Sequence, residues 1–296
     1  MKVVQYQLWL DCSSGCKFCT YRGQPDVDKN ESLTRIINLI EGGDTEGFDG
    51  VGLIGGEIFQ KQLKEDGVKE KFYKLTDILV EKLQKDELKV LWVATSLMFK
   101  PNVLFEWLDY VESKGVIDKV MICTSYDLKF RFNDNSLNLW ENNMKELYKK
   151  YPTLKLHTET ILTEVFMNAV MDGSFSIEEF EEEFHTEMDF LEPHTGFQDS
   201  EKFKEEMVCF LPRRETFISF MINVVKGWDD QRRFKFLNPE IRSHKIHMIR
   251  RGEFITIENR LASHLNEEFG DTKLIIGYCD SSRSIMRDAL VWKGVN

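Results

Sequence analysis

Residues 3–19 read Val-Val-Gln-Tyr-Gln-Leu-Trp-Leu-Asp-Cys-Ser-Ser-Gly-Cys-Lys-Phe-Cys. The first eight, residues 3–10, make an apolar run of strand length. Cys12, Cys16 and Cys19 follow at once in C-x3-C-x2-C spacing. Three thiolates on one short loop can converge on one face of a metal centre, and Gly15 permits the tight turn between the first two. An iron–sulfur cube has about four irons and usually takes four cysteines, so three leave one iron open to another ligand. Structural zinc wants four protein ligands, usually as two separated pairs. No second C-x2-C pair exists, and the His244/His247 pair that would complete a zinc site lies far along the chain. The spacing therefore favours a cluster over zinc.

Beyond the cysteine run, short apolar runs alternate with helical patterns. Strands are expected at residues 48–54, 88–94, 119–124, 154–162 and 187–191. The spacing predicts helices at residues 32–40 (Leu33, Ile36, Ile37, Ile40), 68–83 (Val68, Phe72, Leu75, Leu79, Leu83), from about Pro101 (Leu104, Trp107, Leu108, Val111), and 137–148 (Leu137, Trp140, Met144, Leu147, Tyr148), with a helical stretch to about Phe184. Six β-then-α units imply a parallel sheet with covering helices. Right-handed crossovers allow an open doubly wound sheet or a full or partial barrel, and the pattern alone does not choose.

The chain has 296 residues, 42% hydrophobic and 30% charged, which suits an ordinary globular protein. No apolar run approaches the roughly 20 residues of a bilayer span, so no membrane is expected. The N-terminus lacks a signal peptide's apolar core. The remaining cysteines, Cys123, Cys209 and Cys279, are scattered, unlike a disulfide framework, and read as small buried hydrophobes. A reducing cytoplasm is the expected compartment. The net charge of −11 disfavours a generic nucleic-acid coat. Residues 212–251 nevertheless carry ten Lys/Arg against four acids, after an acidic stretch at 178–206. Residues 1–195 read as the α/β unit, and 196–296 as a C-terminal α+β extension packed on it and contributing to substrate binding, with strands at 254–257 and 274–278.

The cysteine run resembles the radical S-adenosylmethionine superfamily, whose signature is C-x3-C-x-aromatic-C on the loop after the first strand of a partial βα barrel. Phe18 occupies the aromatic position. Residues 48–57, FDGVGLIGGE, end in Gly55-Gly56-Glu57, like the family's Gly-Gly-Glu motif at the end of strand two. The family motif usually continues with proline; here Ile58 follows. The resemblance covers residues 1–195 and implies a partial (βα)6 TIM-like barrel. It implies that Cys12, Cys16 and Cys19 ligate a [4Fe–4S] cluster whose open iron chelates the amino and carboxylate groups of S-adenosylmethionine. Gly55, Gly56, Glu57 and Phe18 would lie at the cofactor. So would Ser125 and Asp127, which close strand four where polar groups often hold ribose hydroxyls. Thr95-Ser96 stands where the family often has a Thr-Asn-Gly turn. Thr158, Thr160 and His194 are further pocket candidates, and Cys279 a candidate hydrogen-atom donor. The implied chemistry is reductive cleavage of S-adenosylmethionine to a 5′-deoxyadenosyl radical that abstracts hydrogen from a substrate, with an electron donor such as flavodoxin or ferredoxin. No catalytic residue on the substrate side is identified.

The substrate class is carried only by the basic stretch. Arg213, Arg214, Arg232, Arg233, Arg250 and Arg251 suit phosphate or carboxylate groups, and Phe217, Phe220, Trp228, Phe234 and Phe236 suit base stacking. The plainer readings are pairing with the acidic 178–206 stretch and core packing. With the first strand starting at once and no peptide-recognition module before it, a nucleotide or nucleic-acid base is expected ahead of a peptide. A glycyl-radical activase, a non-catalytic metal-binding protein and an ordinary methyltransferase complete the alternatives.

Overall fold

A computed structural model of the chain describes residues 1–14, 16, 19, 23–65, 67–128, 131–191, 214–229, 232 and 243–258. The elements run β1 (Val3–Gln7), α1 (Lys29–Glu41), β2 (Gly50–Ile54), α2 (Val68–Gln84), β3 (Val90–Ala94), α3 (Asn102–Ser113), β4 (Val120–Ser125), α4 (Asp134–Lys150), β5 (Lys155–Ile161), α5 (Glu164–Met171), α6 (Ile177–Phe184), β6 (Glu187–Leu191), α7 (Arg214–Asn223), β7 (Ser243–Arg250) and β8 (Glu253–Glu258). The strand expected at 274–278 lies outside the described residues.

Helices α1, α4, α5 and α6 start where a side chain caps them. Asp28 accepts from the Glu31 amide before α1, Thr163 from Phe166 before α5, and Ser176 from Glu179 before α6. Asn133 and Ser136 form a reciprocal capping box at α4. The helical stretch expected to reach Phe184 divides into α5 and α6, because the chain turns at Gly173 with positive φ. Tyr148, expected on the core face of α4, is exposed and stacks on His185; Asn143 takes the buried position instead.

All eight strands join one sheet in the order β6-β5-β4-β3-β2-β1-β7-β8. Strands β1 to β6 pair in sequence order and all parallel. A doubly wound sheet reverses strand order at a switch point; this run does not. Among the described strands the sheet is open, with β6 and β8 at its edges. Strand β7 extends it in parallel from β1, and β8 returns antiparallel through a two-residue turn at Arg251-Gly252. Both turn residues have positive φ, which matches the twist of a tight hairpin.

One sheet face packs on the helices. The row Tyr6, Leu53, Val93, Ile122, Leu156 is buried in the main core with Leu33, Phe72, Trp107, Trp140 and Leu147. Buried indoles keep their polar edge satisfied: Trp107 donates to Thr76 and Trp140 to Thr124, each at 3.0 Å. The opposite face carries Gln5, Gly52, Trp92 and Met121 in one row, and Cys123 and His157 in the next. Gly52 is required there, because a Cβ would meet the Trp92 ring at 2.4 Å.

Among the described residues, the extension is tied on through α7 and through β7. Helix α7 lies against α5, with the Thr216 hydroxyl donating to Glu164 at 2.7 Å. Strand β7 is held by Asp44, which follows α1. Its carboxylate takes the Tyr6 hydroxyl at 2.8 Å, His247 Nε2 at 2.7 Å, and Lys245. Burial alone would raise the Asp44 pKa. The Lys245 and Tyr6 hydrogen bonds, with the charge of His247, outweigh it and hold the carboxyl below its ordinary value.

Candidate active site

Because β1 to β4 are parallel, the loops that leave them share one edge of the sheet, the edge where parallel α/β folds place their ligands. After β1 the chain continues to Cys12; after β2 come Gly55-Gly56-Glu57; after β3, Thr95-Ser96; after β4, Asp127. The first two loops run against each other. The Gly56 amide donates to the Trp9 carbonyl at 2.8 Å and the Glu57 amide to the Asp11 carbonyl at 3.0 Å. A Cβ on Gly56 would lie 2.2 Å from the Leu10 carbonyl oxygen and 2.4 Å from that of Asp11. The glycine is thus dictated by the approach of the cysteine-loop backbone. Gly55 is less tight, at 3.3 Å from the Trp9 carbonyl.

Glu57 is fully buried, 1% exposed. One carboxylate oxygen accepts from the amides of Ile58 (2.8 Å) and Phe59 (3.1 Å) and from the Thr95 hydroxyl (2.9 Å). The other accepts from the Ser96 amide at 2.7 Å. Burial raises its pKa against the pull of these donors. Its side chain binds the end of β2 to the end of β3. The residue after Ser96, Leu97, has φ +54, a backbone region glycine adopts freely. Its carbonyl, with that of Phe99, accepts from buried Asn143 of α4 at 2.8 Å.

The cysteine loop is anchored from both neighbours. Ser13 binds Gln60 through its amide and hydroxyl, and the Ser14 hydroxyl lies 3.3 Å from that of Ser96. Upstream, Asp26 accepts from the amides of Leu10 and Asp11. Cys12, Cys16 and Cys19 are respectively exposed, buried and half-buried. Burial pushes the Cys12 and Cys16 thiols up, and negative charge on neighbouring cysteines pushes the same way. Arg131 opposes this at Cys16, with Nη1 3.7 Å from its sulfur. Arg131 is placed by Asp127, whose carboxylate meets its Nε at 2.6 Å and the Ile161 amide at 2.8 Å. Three sulfur donors whose charges oppose one another fit a positively charged iron–sulfur centre, and the donor set matches that chemistry.

The structure thus brings Cys12, Cys16, Cys19, Gly55, Gly56, Glu57, Thr95, Ser96 and Asp127 to one edge. Ser125 closes β4 half-buried, on the face of Cys123. Phe18, His194, Cys209 and Cys279 lie outside the described residues. Thr158 and Thr160 do not line an open pocket. Both are wholly buried, and Thr158 pairs with Thr186 at 3.0 Å, because the register places Thr158 beside Thr124 on the helix-packed face. His247 is engaged at both ring nitrogens, by Asp44 and by Thr256 at 3.0 Å, far from any role as a fourth zinc ligand for the loop.

Arg232, Phe220 and Trp228 of the basic stretch take the plainer readings. The Arg232 guanidinium pairs with Glu181 at 2.9 Å and Glu178 at 3.4 Å, and lies 5.1 Å from the Trp228 ring centre. Phe220 is fully buried, and Trp228 stacks on Phe190 with centroids 5.4 Å apart.

A second polar cluster was not singled out in the sequence. Cys123, His157 and Glu159 bring donor atoms within 4.8 Å of one another on the face opposite the helices. The available signal was parity: His157 and Glu159 alternate onto one face of β5, as Cys123 and Ser125 do on β4. His157 Nε2 lies 3.1 Å from the Asp189 carboxylate of β6. Burial pushes Cys123 well up and raises Glu159. At His157 burial acts downward, but the Asp189 hydrogen bond and the surrounding carboxylates prevail, and its pKa is raised.

No protein-family model matches the chain, and no curated protein matches it. Among solved structures, one described as a Family GH13_31 enzyme is similar over 70% of this chain, at 11% identity and a TM-score of 0.34. The chain spans 56% of that structure's length. Among the described residues, no helix is long and apolar enough to cross a membrane.

Proposed function

We propose that this chain is a radical S-adenosylmethionine enzyme, in which Cys12, Cys16 and Cys19 hold a [4Fe–4S] cluster. The observation that carries the reading is the cysteine loop at the carboxyl end of β1, packed backbone to backbone on Gly55-Gly56-Glu57 at the end of β2. The unreversed order of β1 to β6 supports a partial (βα)6 barrel as the frame. When bound, the cluster and S-adenosylmethionine supply one-electron cleavage of the cofactor's carbon–sulfur bond, and with it hydrogen-atom abstraction from carbon.

The protein's own residues hold and shield this site. Asp127 fixes Arg131 beside Cys16, so a cation balances the sulfur charge. Glu57 locks the second and third loops together from inside. A ligand meets that motif at the half-buried backbone of Gly55 and Gly56, since the Glu57 carboxylate is enclosed. Asp127 likewise acts through Arg131.

The test is anaerobic. Reconstituted protein given S-adenosylmethionine and a strong one-electron reductant, or reduced flavodoxin or ferredoxin, is expected to release 5′-deoxyadenosine and methionine. Cys16→Ala is expected to release neither. Equal release from the two proteins, or none from a reconstituted wild type, would overturn the reading.

A further inference from the structure

We infer that Cys123, His157 and Glu159 form a second metal site, one that takes a single divalent transition metal such as zinc, independently of the cysteine loop. The three donors come from adjacent strands in register: Cys123 pairs with His157 across β4 and β5, and Glu159 lies two residues on, on the same face. Their donor atoms already lie within 4.8 Å of one another. Tetrahedral zinc, with bonds of about 2.0–2.3 Å, sets its ligands roughly 3.3–3.6 Å apart, so the donors need close by no more than about 1.5 Å.

The donor set is that of a borderline-soft ion: one thiolate, one imidazole and one carboxylate. Calcium and magnesium want oxygen alone. Asp189 supplies the outer carboxylate that orients a ligating histidine, through its 3.1 Å contact with Nε2, and this leaves Nδ1 for the metal. The strands fix all of these positions, so the site rests on rigid elements rather than on a loop. Three protein ligands leave a fourth position for water or substrate, the pattern of reactive rather than structural zinc.

The site is tested with cobalt as the probe, because thiolate-to-cobalt charge transfer absorbs in the near ultraviolet. Protein stripped of metal is prepared from the Cys12→Ala/Cys16→Ala/Cys19→Ala triple variant, which cannot build the loop cluster. It is expected to bind about one Co2+ per chain with that band. Adding Cys123→Ser should abolish the band, and Asp189→Asn should weaken binding about ten- to a hundredfold. Absence of stoichiometric binding in the folded triple variant, or a band indifferent to Cys123→Ser, would overturn the proposal. Should the triple variant fail to fold, zinc per chain is compared between wild type and Cys123→Ser, each with its cluster reconstituted. A drop of about one supports the site, and equal content refutes it. None of these readouts depends on S-adenosylmethionine cleavage, so the two proposals fail separately.

Discussion

A methyl group on Gly56 would have to share space with two carbonyl oxygens of the cysteine loop. Neither is the far end of a flexible side chain, so the loops must separate. Gly56→Ala is expected to lower apo-protein stability by about 1–3 kcal/mol in denaturant titration and to reduce iron loading. Gly55→Ala, at 3.3 Å from one carbonyl, is expected to do less. Glu57→Gln tests the neighbouring residue. The amide places a donor against the donors that now converge on Glu57, so a loss of about 1–3 kcal/mol is expected. An unchanged denaturation midpoint would contradict its role as a buried tie. The motif was legible as Gly-Gly-Glu, but its local logic was not. The resemblance implied only that all three lie at the cofactor. The structure has the Gly56 Cβ position facing the protein's own backbone and the carboxylate turned inward, relations set by residues about forty positions apart.

Among the elements, strands with clear alternation and helices with one apolar stripe were readable to within a few residues, because local periodicity reports which face is buried. Strand β7 was not. Its Lys245 was counted into a basic stretch and its His247 weighed as a zinc ligand, whereas both point at Asp44 some 200 positions away. That half-buried clamp makes a pH prediction. A carboxyl held below its ordinary 3.8 contributes stability that is full above that value and lost as pH falls through the folded pKa. The stability difference between wild type and Asp44→Asn should therefore be largest near neutrality and shrink below about pH 4. A difference that grows on acidification would contradict the assignment. The same distinction between local and distant relations explains β5. Thr158 and Thr160 were chosen for chemistry, but parity sends them to the helices and sends His157 and Glu159 to the open face.

At the scale of the molecule, sequential parallel pairing gathers four loop ends at one edge, and the densest chemistry falls there. The α/β class and the six βα units were legible from the sequence. The continuation of the sheet through β7 and β8, and the pairing of Arg232 with the acidic helix α6, were not, since both depend on which surfaces meet after folding. Cluster binding by the cysteine loop underlies the proposed chemistry. The most direct measurement is iron, sulfide and the visible spectrum of chain purified without oxygen, beside Cys16→Ala. About four irons and four sulfides per chain, a brown colour and their loss in the variant are the predicted result. Zinc in place of iron, or a spectrum indifferent to Cys16, would contradict it.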